Sequence, residues 1–184
     1  MITTSDSTHR AGPTAVEIGA VLAGFAGIAL VITFPLVFHL TTYLPNDLGD
    51  PVLNAWILWW DATVIRNGLH QLWDAPTYYP YAHTLAYSDH LLGIAALTAP
   101  LQWLTANPVL VYNLAFIASY VNAGIGMYLL ARVVTGRRDT AAVAAAIYAC
   151  SAFRVAHFAH LQWLMTGWLP LSLWALHRYF ASGA

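Results

Sequence analysis

Long runs of apolar residues constrain this chain more than any other feature. The first, Ala15 to Leu40, has 26 residues and would extend roughly 39 Å as a helix at about 1.5 Å per residue, enough to cross a bilayer with tilt. Only 8% of the 184 residues are charged, where a soluble domain carries about 25%. The chain is therefore predicted to be an all-α integral membrane protein.

Four crossings and one shorter apolar element are expected. The predicted crossings are 15–40, 109–131, 141–160 and 161–180. The run His90 to Leu104 contains Pro100 and is shorter than the roughly 17 residues that a crossing helix needs, so it is expected to be interfacial or re-entrant. Small residues at four-residue spacing suggest close helix contacts at Ala115, Ser119 and Ala123 and at Ala20 and Gly24; the competing interpretation is the general richness of membrane helices in Gly and Ala.

The arginines predict how the chain is oriented. If 90–104 does not cross, five of the seven arginines fall on one side, which the positive-inside rule assigns to the cytoplasm. Residues 1–14 are then a cytoplasmic leader, and 15–184 form a single domain in the cytoplasmic membrane with loop 41–89 outside. A cleavable signal peptide is the competing interpretation of the first run, but that run exceeds the usual apolar region of about 7 to 15 residues.

Composition also restricts the partners. Seven arginines, no lysine and a net charge of −1 argue against nucleic acid, whose phosphates need clustered basic residues. Cys150 is the single cysteine, which excludes an intrachain disulfide and a cysteine metal site. Membrane lipid is the expected partner, and the sequence predicts no particular oligomeric state.

The loop Thr41 to Asp89 holds five of the eight acidic residues and is the first place to look for function. Asp50-Pro51 is typical of a helix start, with Asp50 as the cap. Apolar residues then recur at three and four, which predicts an amphipathic juxtamembrane helix over 51–69 with Asn54 and Asp61 on its wet face. Asp50 is the candidate base, and Asp74 is expected to be a turn residue.

An aromatic and proline-rich segment follows that helix. Tyr78 and Tyr79 lie in it, and Asp89 closes the loop. Exposed aromatic rings stack on sugars or pack on lipid, and the sequence leaves both uses open. These residues are candidate substrate-binding groups.

A second polar group lies at the end of the third predicted crossing. Arg154, His157 and His160 recur at every third residue, along one stripe if the helix continues. A guanidinium suits a phosphate oxyanion, and two histidines alone do not complete a zinc site. The competing interpretation is a basic side chain that only reaches lipid headgroups.

Several of these segments together resemble a known family. They include Leu48-Gly-Asp-Pro51, Gly126-Met-Tyr-Leu-Leu-Ala-Arg132, Phe153-Arg154-x-x-His157-x-x-His160-Leu-Gln162 and Trp168-Leu-Pro170-Leu. With the order of apolar runs, they are similar to the N-terminal module of GT-C membrane glycosyltransferases, especially bacterial members and more distantly protein O-mannosyltransferases. The resemblance covers Ala15 to Phe180, and it implies that the chain is the N-terminal part of a longer protein.

The resemblance also implies an activity and roles for particular residues. A sugar would pass from a polyprenyl-phosphate donor to an acceptor hydroxyl at the outer membrane face, with Asp50 as general base. Arg154, with His157 or His160, would stabilise the departing phosphate, and Asp89 would orient the acceptor or hold a divalent cation. Many members carry two adjacent acids where this chain has Asp50-Pro51, which leaves the need for metal open.

Two other classes of function remain. A transporter or channel subunit would place polar residues opposite one another near the middle of the bilayer, whereas here they cluster at the outer edge of the predicted spans. A non-catalytic scaffold or lipid-binding protein would use the aromatic loop only as an anchor. Replacing Asp50 by Asn separates an enzyme from a scaffold.

Overall fold

The structure, a computed structural model, describes residues 12–183, and these are helical with no strand. Eight α-helices are formed: α1 (Ala15–Ile32), α2 (Asp50–Arg66), α3 (Leu92–Thr105), α4 (Pro108–Thr135), α5 (Arg138–Ala149), α6 (Ala152–Ala156), α7 (Leu161–Leu164) and α8 (Trp168–Ala181). Two short 3₁₀ turns, Leu36–Phe38 and Thr84–Tyr87, lie in the connections.

Helix α4 is the central element, and α1, α2, α3, α5, α7 and α8 all pack against it. The C-terminal part of α4 is joined to the start of α1 through the Glu17 carboxylate. Oε1 of Glu17 accepts hydrogen bonds from the Tyr128 hydroxyl at 2.6 Å and from Arg132 Nε at 3.0 Å. Arg138 Nε lies 2.8 Å from the other carboxylate oxygen. Helices α1 and α5 therefore both run antiparallel to α4.

Small residues allow α4 to approach its neighbours closely. A Cβ at Gly124 would lie 2.3 Å from the Phe25 ring of α1, so only glycine fits there. The predicted contact stripe Ala115, Ser119 and Ala123 is buried, which confirms that prediction. The prediction for Ala20 and Gly24 is wrong: both are exposed on α1, because that helix turns Phe25 and Ala29 inward instead.

Within residues 12–183, three helices are long and apolar enough to cross a membrane: α1, α4 and the nearly continuous stretch Arg138–Ala156. The fourth predicted crossing, 161–180, is divided between α7 and the 14-residue α8, so the count of four is not confirmed. Helix α1 ends at Ile32 rather than at the predicted Leu40, shortly before Pro35, which lacks a backbone donor. Helix α3 is a short apolar helix, as predicted.

The third predicted crossing does not continue as helix to His160. Helix α5 ends at Ala149, α6 is a five-residue helix ending at Ala156, and a turn separates it from α7. Arg154 therefore lies on α6, whereas His157 and His160 lie in the following turn. The expectation of one helical stripe for these three residues is wrong, since the helix that would align them ends after Ala156.

Candidate functional site

Helix α2 turns its polar side toward the protein interior. Asn54 and Asp61 are both buried, whereas Val52 and Trp59 are 43% and 39% exposed. The prediction of a wet face containing Asn54 and Asp61 is therefore wrong. Because α2 packs against α3 and α4, these two polar side chains are buried on the same side as apolar residues such as Ile57 and Leu58.

Asp50 begins helix α2 but does not cap it. The cap position is Gly49, whose amide donates to Asp47 Oδ1 at 2.8 Å. Asp50 accepts no bond from the amides of the first turn, so the predicted capping role is wrong. Its side chain is 49% exposed and therefore free to face an adjacent cleft.

That cleft has a volume of about 500 Å³. Its walls come from the start of α2, from the end of the long loop and from the segment that leads into α7. The lining residues are Asp50, Leu53, Asn54, Ala86, Tyr87, Ser88, Asp89, His160 and Gln162. Three of the predicted site residues, Asp50, Asp89 and His160, are thus brought together. Two carboxylates and an imidazole in one open hollow are the types of group that perform general acid-base chemistry.

One short segment holds both carboxylates in place. His160 Nε2 lies 3.0 Å from Asp50 Oδ2, and Gln162 Nε2 donates to Asp89 Oδ2 at 2.7 Å. Asn54 Nδ2 donates to Gln162 Oε1 at 3.3 Å and to the Ala159 carbonyl at 3.2 Å. Residues 160 and 162 therefore determine the separation of two acids that are 39 positions apart in the chain.

The contacts of His160 determine which atom of Asp50 is available. Nδ1 of His160 is buried and has no hydrogen-bond partner, so Nε2 makes the polar contact with Asp50. A neutral imidazole that donates from Nε2 orients the carboxylate through Oδ2. The other oxygen, Oδ1, then remains for a ligand in the cleft.

Arg154 is not part of this cleft. Its side chain is fully buried, and its guanidinium donates to the Leu164 carbonyl, to Thr166 Oγ1 at 3.3 Å and to Ser119 Oγ at 2.8 Å. The same group lies 4.4 Å from the centre of the Tyr120 ring. The expected meeting of Asp50 and Arg154 in one hollow is therefore not observed. Arg154 instead joins α6 and the end of α7 to the central helix.

His157 lies in an aromatic cluster outside the cleft. Its ring stacks on Trp163 at 4.9 Å and on Phe153 at 4.2 Å, and it lies 5.8 Å from the ring of His160. Its Nδ1 is 2.8 Å from the Phe153 carbonyl, which requires a proton on Nδ1. His157 thus supports the wall that carries His160 and does not line the cleft itself.

The predicted aromatic residues of the loop also lie elsewhere. Tyr78 and Tyr79 are 73% and 94% exposed, and neither lines the cleft. Tyr87 lines it instead, together with Asn54 and Gln162, and sequence reasoning did not select these three. The available signal for Gln162 was its position two residues after His160. Asn54 was missed because its side of α2 was assigned to water.

Asp61 forms the most deeply buried acid-base pair of the described residues. Its carboxylate is fully buried, and Oδ1 lies 3.5 Å from His90 Nε2. Neither oxygen of Asp61 has a hydrogen-bond partner within bonding distance. Burial raises the pKa of Asp61 from 3.8 to about 7 and lowers the pKa of His90. The carboxyl is therefore poised to change charge near neutral pH.

Asp74 has a local structural role. Its Oδ1 accepts a hydrogen bond from the backbone of His83 at 2.8 Å and lies 3.2 Å from His83 Nδ1. This contact closes the loop, as predicted for a turn residue. Asp74 lies outside the cleft and serves below as a control position.

A second cavity of about 420 Å³ follows the end of α1. Its walls are mainly apolar and aromatic, and they include Phe34, Leu36, Leu44, Phe116 and Phe158. The cavity extends along the chain to Asn46, four residues before Asp50. An apolar chamber thus follows α1 in the segment that leads to the start of α2.

Within residues 12–183, no group of three or more His, Cys, Asp or Glu side chains is placed to hold a metal ion. A divalent cation at Asp89 stays a prediction of the resemblance. The chemistry of the cleft is argued below from its side chains alone.

The fold and the cleft define a class: an all-helical protein with three helices able to cross a membrane and a polar hollow beside α2. Comparison with protein-family models, curated proteins and solved structures gave no match.

Proposed function

We propose that this chain is the catalytic module of a membrane glycosyltransferase that moves a sugar from a polyprenyl-phosphate donor to an acceptor hydroxyl. The single observation that carries the proposal is the half-exposed Asp50 carboxylate, oriented by His160 at 3.0 Å, with Asp89 lining the same cleft. Its volume of about 500 Å³ lies within the range of about 300–1,000 Å³ typical of small-molecule sites.

The reaction assigns each cleft residue a role. The acceptor oxygen attacks the anomeric carbon of the donor sugar while its proton passes to Asp50. The bond between that carbon and the phosphate oxygen breaks, and polyprenyl phosphate leaves with the electron pair. His160, whose Nε2 contacts Asp50, acts by orienting this base. Asp89, held by Gln162, orients the acceptor.

The second cavity supports a lipid-linked donor. A sugar phosphate in the cleft needs a separate apolar surface for its isoprenoid, and the chamber lined by Phe34, Phe116 and Phe158 offers one. A soluble sugar nucleotide would gain nothing from this chamber. We therefore favour the polyprenyl-linked donor.

The proposed orientation places the cleft outside the cytoplasmic membrane and the N-terminus inside. Tyr112 lies near the start of α4, and Arg132 lies 20 residues further along it, roughly 30 Å at about 1.5 Å per residue. Arg138 lies at the same C-terminal end of α4. Basic residues at that end favour the cytoplasm. The opposite end then meets the outer face.

The test is replacement of Asp50 by Asn in the full chain, reconstituted in vesicles with a panel of polyprenyl-phosphate hexoses. Loss of a general base costs about 10²–10⁴ in rate, so transfer should fall at least about 100-fold with unchanged abundance and unfolding midpoint. Asp74→Asn, which removes a carboxylate outside the cleft, should transfer at the wild-type rate. Wild-type transfer by Asp50→Asn would contradict the proposal and favour a non-catalytic scaffold.

A further inference from the structure

The reaction proposed above makes no use of the buried Asp61–His90 pair. Asp61 projects from the middle of α2, and His90 immediately precedes α3. The carboxylate is fully buried, its oxygens have no hydrogen-bond partner, and the imidazole lies 3.5 Å away. A buried acid with one distant partner costs free energy when it is ionised. Asp61 in this pair is therefore more stable when it is protonated.

The contacts of His90 determine where that proton resides. His90 Nδ1 accepts a hydrogen bond from the backbone of Leu92 at 3.1 Å, so it carries a lone pair and the ring proton lies on Nε2. Nε2 faces Asp61. Protonating the ring would direct a second N–H at the Leu92 donor, whereas protonating Asp61 meets no such conflict. Asp61 is accordingly the group that gains and loses the proton.

This pair is coupled to the cleft through one peptide segment. Ser88 and Asp89 line the cleft, and the next residue, His90, is the one that reaches Asp61. On its other face His90 packs against the Trp73 ring, with centroids 4.9 Å apart. A change in the position of the His90 side chain therefore shifts the backbone that carries Asp89.

We propose that Asp61 and His90 are positioning residues that bind one proton between them, and that the loss of this proton loosens the Ser88–Asp89 wall of the cleft. The inference deepens the proposed function, because it assigns a pH-dependent control to the same cleft. With the proton present, the pair is neutral and the wall is held against α2. Without it, a buried negative charge favours separation of His90 from Asp61 and entry of water.

In the part of the chain that the structure describes, no other charged group takes over this role. Helix α3 has no titratable side chain, and α4 presents Tyr112 and Tyr120, neither of which pairs with Asp61. On α2 itself Arg66 is exposed and distant from the interior. The other titratable groups around α2 are occupied or lie at the surface: His160 with Asp50, Asp89 with Gln162, Asp74 with His83, Arg154 with Ser119, and the exposed His70.

The direction and size of the effect follow from proton linkage. Burial raises the pKa of Asp61 to about 7, whereas in an opened, hydrated state it returns toward 3.8. The closed state thus holds the proton more tightly, and opening becomes easier as the pH rises from about 4 to about 7, where the effect levels off. Between pH 5 and pH 8 the opening equilibrium should rise by up to about a hundredfold. His90, whose pKa is lowered, stays neutral over this range.

Hydrogen–deuterium exchange of the full chain in nanodiscs tests this inference. Peptides that cover 84–94 are followed between pH 5 and pH 8 and corrected for the intrinsic pH dependence of exchange. Wild type should lose protection progressively as the pH rises from 5 to about 7, with little further loss above that. In Asp61→Asn, which cannot ionise, protection should vary less than about twofold across the range. Asp74→Asn should keep the wild-type profile, because its carboxylate lies in the same loop but is not buried.

A second variant keeps the test independent of whether Asp61→Asn folds. His90→Gln retains a donor but removes the imidazole, and the pH at which its loss of protection levels off should differ from that of wild type. A wild-type profile without a transition, or an unchanged transition in both variants, would overturn the proposal. The readout needs no substrate. If transfer survives Asp50→Asn while the exchange transition follows Asp61, the glycosyltransferase proposal fails and the proton-binding pair stands.

Discussion

Replacement of Arg154 by Lys should destabilise the fold because the site needs the guanidinium fork and not only a charge. The guanidinium bonds at once to the Leu164 carbonyl, to Thr166 and to Ser119, and it lies on the Tyr120 ring. An ammonium group has a single nitrogen and cannot span these acceptors. The positive charge would remain buried with fewer partners, which is the costly case for a buried ion.

The loss of stability expected for Arg154→Lys follows from those contacts. A hydrogen bond to a charged group contributes about 1.5–3 kcal/mol, so the loss of one or two of them should cost about 2–5 kcal/mol. Arg154→Met removes the charge together with its desolvation cost, so it should be less destabilising than Arg154→Lys. This ranking, with Lys worse than Met, distinguishes a buried clamp from a group that binds substrate phosphate.

The assay is equilibrium unfolding in mixed detergent micelles, followed by tryptophan fluorescence and circular dichroism. Arg66→Lys is the matched control, since Arg66 is exposed on α2 and should change stability by less than about 0.5 kcal/mol. If Arg154→Lys unfolds at the wild-type midpoint, the clamp argument is refuted. Arg154 would then return as a candidate for the phosphate of the donor.

Three further perturbations test other parts of the fold. Asp61→Asn should stabilise the protein by up to about 4 kcal/mol at pH 8 but not at pH 4. The reason is that folding raises the pKa of Asp61 from 3.8 to about 7, so the wild-type protein loses stability as the pH increases between those values. Equilibrium unfolding at both pH values measures this difference. Gly124→Ala should cost about 1–3 kcal/mol through overlap with Phe25, and the added change Phe25→Leu should recover part of it in a double-mutant cycle. Glu17→Gln should lower the unfolding midpoint, whereas Tyr128→Phe, which removes one bond of the same cluster, should lower it less.

The failures of prediction on α2 have a common physical cause. Periodicity assigned Asn54 and Asp61 to water because a soluble amphipathic helix exposes its polar side. In the structure α2 buries both of these polar side chains beside apolar ones such as Ile57, so its buried side is mixed. The spacing of residues is the same whichever side of α2 is buried. Only the packing of α2 against α3 and α4 determines which side is buried.

Arg154 shows a second limit of sequence reasoning. Its spacing from His160 suggested one continuous helical stripe. The helix ends after Ala156, however, so the two side chains do not lie on one helical face. Arg154 is then buried against Ser119, while His160 reaches Asp50. A local pattern cannot reveal a helix break that is stabilised by contacts with distant residues.

The all-helical, strongly apolar character of the chain, the helix start at Asp50-Pro51 and the shortness of α3 could be predicted from the sequence, which also selected Asp50, Asp89 and His160 as candidate site residues. These depend on composition, run length and local backbone preference, which are properties of neighbouring residues. The tertiary structure alone decided that residues 160 and 162 hold two distant carboxylates, that Arg154 faces inward and that Asp61 meets His90. Those contacts join segments far apart in the chain, and they form only when α2 and the α6–α7 turn pack around α4.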